Sequence, residues 1–546
     1  MVDGERQGEN QGEEQVSLVH PMGKSNKVVM DPNPRLGLGG RVAMVDRCPP
    51  GLAMNDVSQS GVPLDPTKVP LAQHQPFTKI VATIGPTSED LVGELIDRGL
   101  SVARLNFSHG EPDEHRRRVA KIRAAAEERG QAVGILADLP GPKMRTGFFP
   151  GGKIDLVDRE LVRVRSGDGQ AIAGEILINV PGLAQSVELG HRIFLADGQV
   201  ELIVEDRFGE TLVGRVQRGG PVGNRKGVHL PDSDVAYDLP TDEDREWIKL
   251  GVELGVDMFG VSFVAHGSEL QEIRKLAGDR IMLVAKVERR AALDNLQDIL
   301  RATDGVMVAR GDLGVELPLS QLPLAQKYLI EQSVRAGKFV ITATEMLESM
   351  IHSSRPTRAE VTDVANAVLD GSDAVMLSAE TAVGEHPLES VETMASIALA
   401  VESSQRYAKR PRLNLDPAEA NFYNATAMAA VHVARALSLK HIVCFTETGN
   451  TVRLLSRFRP NSEILALSPN QDTINRMCVV AHVRGILFGR ESSLEDMLYK
   501  ATEMLVEREF VADGEEVVFV AGVPPGVAKS TNVMKLHRIG EEVKFH

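Results

Sequence analysis

Between residues 79 and 377, short apolar runs rich in β-branched side chains recur eight times: at 79–84, 102–106, 133–138, 258–262, 281–286, 306–309, 339–343 and 374–377. Amphipathic segments lie between them, such as 115–129, where Val119, Ile122, Ala125 and Ala126 recur at helical spacing. Strand then helix, eight times over, predicts a (β/α)8 TIM barrel, because each parallel strand needs a crossover and the crossover is usually a helix. The alternation breaks once, after the third run. Residues 148–230 instead show short alternating runs (161–164, 193–195, 202–204, 212–216) divided by Gly, Asp and Pro turns. This pattern predicts a small antiparallel β domain, a β-barrel lid inserted at a loop of the larger barrel. Beyond the eighth run, a helical stretch at 388–407 and a proline-containing break at 409–417 lead into a helix at 425–437 and a strand at 441–445. A helix at 451–458 and strands at 464–467 and 517–520 follow, which together predict a C-terminal α/β domain with a parallel sheet. The expected division is 1–75 as an N-terminal extension, 76–147 and 233–408 as the two parts of the barrel, 148–232 as the lid and 409–546 as the C-terminal domain.

Residues 1–75 contain no Phe, Tyr or Trp and are broken repeatedly by Pro, so they can bury little apolar surface and are expected to be disordered. Their acidic opening, Asp3 to Glu14, speaks against an organellar transit peptide. Two readings stay open, a tail with an interaction role or a gene start placed too early, with Met54 one later candidate. The formal net charge of −15 disfavours nucleic acid as the main partner, and no apolar run reaches the length of a membrane span. The three cysteines, Cys48, Cys444 and Cys478, have neither metal nor disulfide spacing, which fits a reducing, cytoplasmic setting.

The fifth and sixth runs end abruptly in charge, as buried parallel strands do when they open into a pocket. Lys286 and Glu288 are two residues apart and on an extended chain share a face; Asp312 is expected to close the next strand beside them. One ammonium and two carboxylates then converge on a small volume. Hard oxygen ligands with room left for substrate oxygens suit Mg²⁺, and an adjacent lysine suits an anion about to gain or lose charge. The alternative for either fragment by itself is a structural ion pair.

Seven blocks, in order, resemble the signature segments of the pyruvate kinase family: TKIVATIGP at 78–86, ARLNFSHG at 103–110, GNRKGV at 223–228, KVE at 286–288, GDLG at 311–314, ATEMLESM at 343–350 and RPTRAE at 355–360. AGVPPG at 521–526 and HRIG at 537–540 fit as well. The resemblance implies transfer of the phosphoryl group of phosphoenolpyruvate to ADP, giving pyruvate and ATP in glycolysis, and phosphoryl transfer needs metal ions and cations more than a protein nucleophile. Carried over by position, Glu288 and Asp312 are implied ligands of Mg²⁺ or Mn²⁺. Lys286 would stabilise the migrating phosphoryl group and the enolate, and Arg104 would grip the phosphoryl group. Thr344 would relay the proton that turns enolate into pyruvate, solvent being the alternative donor. Ser262, Gly311 and Asp312 complete the implied substrate site. Arg145 and Lys226 would contact nucleotide phosphates, with Pro86 and His109 lining the nucleotide pocket. Asp197 matches a lid residue of the family but is equally a hairpin-turn residue.

One departure is informative. The K⁺-requiring form of the family has DTKGPE after the third strand, whereas this chain has DLPGPK at 138–143. Leu139 removes a hydroxyl ligand and Lys143 replaces a carboxylate with an ammonium, which can supply the charge that K⁺ would bring. Asn106, Ser108 and Asp138 would surround that ammonium, so activity without K⁺ is expected. In the last domain, Thr446, Thr448, Gly449 and Thr451 join a strand to a helix start, a place suited to an anion. By resemblance this loop belongs to a pocket for a phosphorylated allosteric effector, with residues 522–530 as its second wall; the alternative is a plain capping turn. A homotetramer is implied by the family alone. The rival readings are a Mg²⁺-dependent aldolase or lyase, which would share Glu288 and Asp312 but needs no nucleotide lid, and a catalytically silent paralogue.

Overall fold

The computed structural model describes residues 75–541 apart from 234, 236–237, 411–412, 415–419 and 524–530, all within one compact unit, Leu64–His546. The expected N-terminal extension lies outside the described residues. Eight parallel strands close into a barrel in sequence order: Lys79–Thr83, Leu100–Asn106, Gly134–Asp138, Met258–Val261, Met282–Val287, Gly305–Ala309, Phe339–Ala343 and Ala374–Leu377. Several are buried along their whole length, because helices cover the outside and side chains fill the inside. That is why they read as unbroken apolar runs. The helices Asp242–Leu254 and Arg358–Asp370 each begin at a threonine capping box, Thr241 with Asp244 and Thr357 with Glu360, which satisfies N–H groups the helix cannot.

The insertion after the third strand folds as a six-stranded sheet, with the short pair Lys153–Leu156 and Gly220–Gly223 beside it. Most of its pairings are antiparallel, but Leu161–Ser166 runs parallel to Glu175–Ile178, contrary to the expected antiparallel domain. The connection between them crosses to Phe148, whose N–H donates to the Gly169 carbonyl (2.9 Å) and whose carbonyl accepts from Ala171 (2.7 Å). The chain therefore re-enters the sheet in its original direction. Alternation of apolar residues specifies a strand and its faces, not its direction.

The C-terminal sheet has the order Val483–Leu487, Glu463–Ser468, His441–Phe445, Glu516–Gly522, Thr531–Arg538. The first four are parallel as expected, and the last is an antiparallel edge. Two carboxylates at the base of the barrel hold this domain in place. Asp304 and Asp373 precede the sixth and eighth strands, and each accepts a backbone N–H of a neighbouring strand, from Leu283 (3.0 Å) and Val340 (3.0 Å). They also receive Arg453 (3.3 Å) and Arg459 (2.7 Å) from the C-terminal domain. Charge-assisted bonds of this kind leave neither Asp304 nor Asp373 bare at the seam. The opposite rim, where the strands end, faces the lid. Among the described residues, no helix is long and apolar enough to cross a membrane.

Candidate active site at the barrel rim

The C-terminal ends of the strands and the lid enclose a cavity of about 400 Å³. The paired register Val287 to Val308 and Ala309 to Ala343 ends the fifth, sixth and seventh strands close to one level. Lys286, in the fifth strand, and Glu288, just beyond its end, both reach the cavity, as the two-residue period requires. Asp312 reaches it by another route. It does not close a strand as expected, because the sixth strand ends at Ala309 and Asp312 sits in the first turn of the helix Arg310–Glu316. A carboxylate is well placed there beside the free N–H groups of a helix start.

The Lys286 ammonium lies 2.8 Å from Glu288 Oε1 and 3.6 Å from Asp138 Oδ2, and donates to Ser262 Oγ at 2.7 Å. Arg104 donates through Nε to the same Asp138 oxygen (2.7 Å) and through Nη1 to Thr83 Oγ1 (2.9 Å). Burial favours the neutral form of Asp138, yet Arg104 and Lys286 more than offset it and hold its carboxyl below the ordinary range. For Lys286, burial is likewise outweighed by Asp138 and Glu288, so its pKa is raised and it stays an ammonium. Glu288 goes the other way: burial, with the Asp312 carboxylate adding to it, lifts its pKa despite the neighbouring Lys286. Asp138 and Glu288 together keep Lys286 charged, and of the two Glu288 is the one whose carboxylate form its surroundings disfavour.

That imbalance bears on whether a divalent ion fits. Glu288 is 2% exposed and its Oε2 already accepts the Phe263 N–H (2.7 Å), while the Asp312 side chain is 41% exposed. A cation between the two carboxylates would offset the burial of Glu288 and the lesser repulsion from Asp312 that together raise it. Among the described residues, no three His, Cys, Asp or Glu come together as a closed cage. Two carboxylates with the remaining positions left to water and substrate oxygens is the arrangement Mg²⁺ favours. The residues present fit the ion.

Asn106, Ser108, Asp138 and Lys143 line the same cavity, with Lys143 Nζ donating to Ser108 Oγ at 3.3 Å. Burial and Lys286 lower the Lys143 pKa, against an upward pull from Glu288 and Asp312. Arg145 and Lys226 border the cavity from the lid side, tied together where Arg145 pairs with Gly227 and donates to the Arg225 carbonyl (2.9 Å). Thr344 lines it too, and its Oγ1 accepts the Gly311 N–H at 2.8 Å, so that N–H is committed to Thr344. Pro86 and His109 stand outside the lining, on the loops after the first and second strands. Burial, with Lys143, Arg145 and Arg104, lowers the His109 pKa, which places its ring among those cations.

Several lining residues were not singled out from the sequence. His229, from the lid strand Val228–His229, has its ring 3.9 Å from Asp312 and 3.6 Å from Glu316. Arg289, Ser378 and Met376 also face the cavity. Asp197, matched in the sequence to a lid residue or a hairpin turn, faces it from a hairpin in which both Ala196 and Asp197 have positive φ. No local pattern marks His229, since it reaches Asp312 only when the lid folds over the rim. In the C-terminal domain, Gly449 caps the helix Asn450–Arg457 with φ 83° and donates its N–H to Thr446 Oγ1 (2.9 Å). Thr451 is buried against Thr531 (2.6 Å), leaving Thr448 exposed. Residues 524–530 of the expected second wall lie outside the described residues.

The family model described as the pyruvate kinase barrel domain matches residues 75–391, and that for the pyruvate kinase alpha/beta domain matches residues 424–537. A pyruvate kinase of Staphylococcus saprophyticus is 40% identical over 474 residues, covering 85% of this chain and 81% of that protein. One of Mycobacterium tuberculosis is 40% identical over 469 residues, covering 85% and 98%. The crystal structure of a pyruvate kinase from Cryptosporidium parvum overlays with a TM-score of 0.77 at 33% identity, covering 85% of this chain and 96% of that one.

Proposed function

Since this chain belongs to the pyruvate kinase family, a phosphotransferase that converts phosphoenolpyruvate and ADP into pyruvate and ATP, we propose that the rim cavity is where it does so, with the roles assigned as follows. The observation that supports this reading is the Lys286 ammonium, held between Asp138 and Glu288 and facing the same cavity as Asp312. Phosphoryl transfer between two anions is limited by charge, so fixed cations that need no reorganisation are what the site must provide. Arg104, itself anchored by Asp138 and Thr83, holds the phosphoryl oxygens. Lys286 stands beside the bridging oxygen and stabilises the enolate left when the P–O bond breaks. Arg145 and Lys226 bind the nucleotide phosphates from the lid, and Thr344 passes a solvent proton to the enolate carbon. Glu288 and Asp312 would hold the divalent ion, which when bound supplies neutralisation of the substrate carboxylate and phosphate.

The Lys143 ammonium, beside Ser108 and within the field of Glu288 and Asp312, supports activity without K⁺. Steady-state rates in tetramethylammonium chloride and in KCl should match; a many-fold rise on adding K⁺ overturns the assignment. We also propose that the loop around Gly449 receives a phosphorylated effector, supported by the exposed Thr448 at a helix start. Adding sugar phosphates or AMP should shift the phosphoenolpyruvate saturation curve, and no shift with any of them leaves Thr446 and Gly449 as a capping turn only.

A further inference from the structure

Thr344 is held in a conformation its side chain disfavours. Its φ is +68° and that of Glu345 is +52°, a left-handed pair without glycine, and a β-branched residue at positive φ persists only where its surroundings over-determine it. The over-determination comes from Arg310, 9% exposed, in the dipeptide that opens the helix after the sixth strand. Its Nε donates to the Ala343 carbonyl (3.1 Å) and its Nη2 to the Thr344 carbonyl (2.5 Å). Nη1 pairs with Asp363 (2.5 Å), from the helix Arg358–Asp370, and donates to Gln326 (3.3 Å), from the helix Leu322–Arg335. The next residue, Gly311, donates its N–H to the Thr344 hydroxyl. Arg310 and Gly311 therefore grip both the backbone and the side chain of Thr344.

We propose that Arg310 is a positioning residue for the protonation step: it holds the Thr344 carbonyl and the Ala343 carbonyl to which the Thr344 hydroxyl donates (2.6 Å), and so fixes where that hydroxyl stands to hand a proton to the enolate. This rests on the reading of Thr344 as proton relay given above. A planar guanidinium can meet two carbonyls and a carboxylate at once, in fixed directions, whereas the single ammonium of a lysine cannot. Phosphoryl transfer depends on Lys286, Arg104 and the carboxylates, none of which Arg310 touches in the contacts described.

The two halves of the reaction can be read separately. ATP formed in a single turnover with phosphoenolpyruvate and ADP reports phosphoryl transfer. Incubating pyruvate with the enzyme, Mg²⁺ and ATP in D2O, followed by NMR, reports the proton step. There the C3–H bond breaks with its electron pair forming the enolate and its proton passing by way of Thr344 to solvent, and a solvent deuteron returning by the same route makes the new C3–D bond as the carbonyl re-forms. Arg310→Lys should slow deuterium uptake roughly 10²-fold, the size of loss expected from a displaced catalytic group, with ATP formation close to wild type. Arg310→Ala should behave alike, and millimolar guanidinium should restore uptake without moving Tm, an effect a purely structural arginine would not show. Equal slowing of both halves by Arg310→Lys, or unchanged uptake, overturns the proposal. Thr344→Val is the companion variant: if it leaves uptake unchanged, the relay reading itself fails, whereas slowing by Thr344→Val but not by Arg310→Lys rejects Arg310 alone.

Discussion

Replacing Lys286 with Met is expected to lower kcat by roughly 10²–10³-fold, the cost of removing one preorganised donor from a site where negative charge develops. The KM for ADP should change little, because Arg145 and Lys226, the proposed nucleotide contacts, border the cavity from the lid side and have no hydrogen bond or ion pair to Lys286 among those described. Methionine keeps most of the side-chain volume, so the fifth strand should pack as before. Asp138 retains Arg104 at 2.7 Å, and the change therefore strands one carboxylate, Glu288, and not two. Quenched-flow measurement of the phosphoryl step, with thermal melting as the control for folding, checks this. A kcat within a few-fold of wild type would show that Lys286 is a structural ion-pair partner after all.

The second large effect is expected at Glu288. Glu288→Gln keeps the shape and can still accept the Phe263 N–H, but removes one of the two carboxylates proposed to hold the ion. Loss of groups that merely orient metal ligands costs 10- to 100-fold in affinity, so losing a ligand here should weaken Mn²⁺ binding by about 10²-fold or more, with activity falling in parallel. Mn²⁺ titration followed by electron paramagnetic resonance, on enzyme without substrate, reads binding independently of turnover. Unchanged Mn²⁺ affinity would remove Glu288 from the metal site and leave it as the partner of Lys286. The prediction has a structural basis in the site's charge balance: Glu288 has its pKa raised by burial and by Asp312 even with an ammonium at 2.8 Å.

How far the site could be read in advance depended on distance along the chain. Lys286 and Glu288 were assigned a common face from their spacing, and both meet the cavity, because a strand's period of two is fixed by local backbone geometry. Lys143 stood out by its identity, and its ammonium lies beside Ser108. Asp312 lines the cavity from a helix start and not from the strand end its apolar approach suggests, since a strand and a short helix start both fit an apolar run that ends in Arg310-Gly311-Asp312. No local pattern marks Arg310. Its partners Ala343, Thr344 and Asp363 are 33, 34 and 53 residues away. In the C-terminal domain, the strand Val483–Leu487 was missed because Arg484 and Gly485 interrupt it, and Thr531–Arg538 because an edge strand half exposed to solvent carries a weak pattern.

By itself the amino-acid sequence determined which segments become the barrel strands, how many close into the barrel, and that Lys286 and Glu288 share a face at a strand mouth, because hydrophobic period is a local property that any fold of this chain must respect. Only the tertiary structure decided that Asp138 joins Glu288 in keeping Lys286 charged, that His229 and Asp197 come from the lid to the same cavity, and that Arg310 holds Thr344 in its left-handed turn. Those outcomes depend on distances between groups remote in the chain and on the low dielectric that closing the rim creates, and neither exists until the domains have packed.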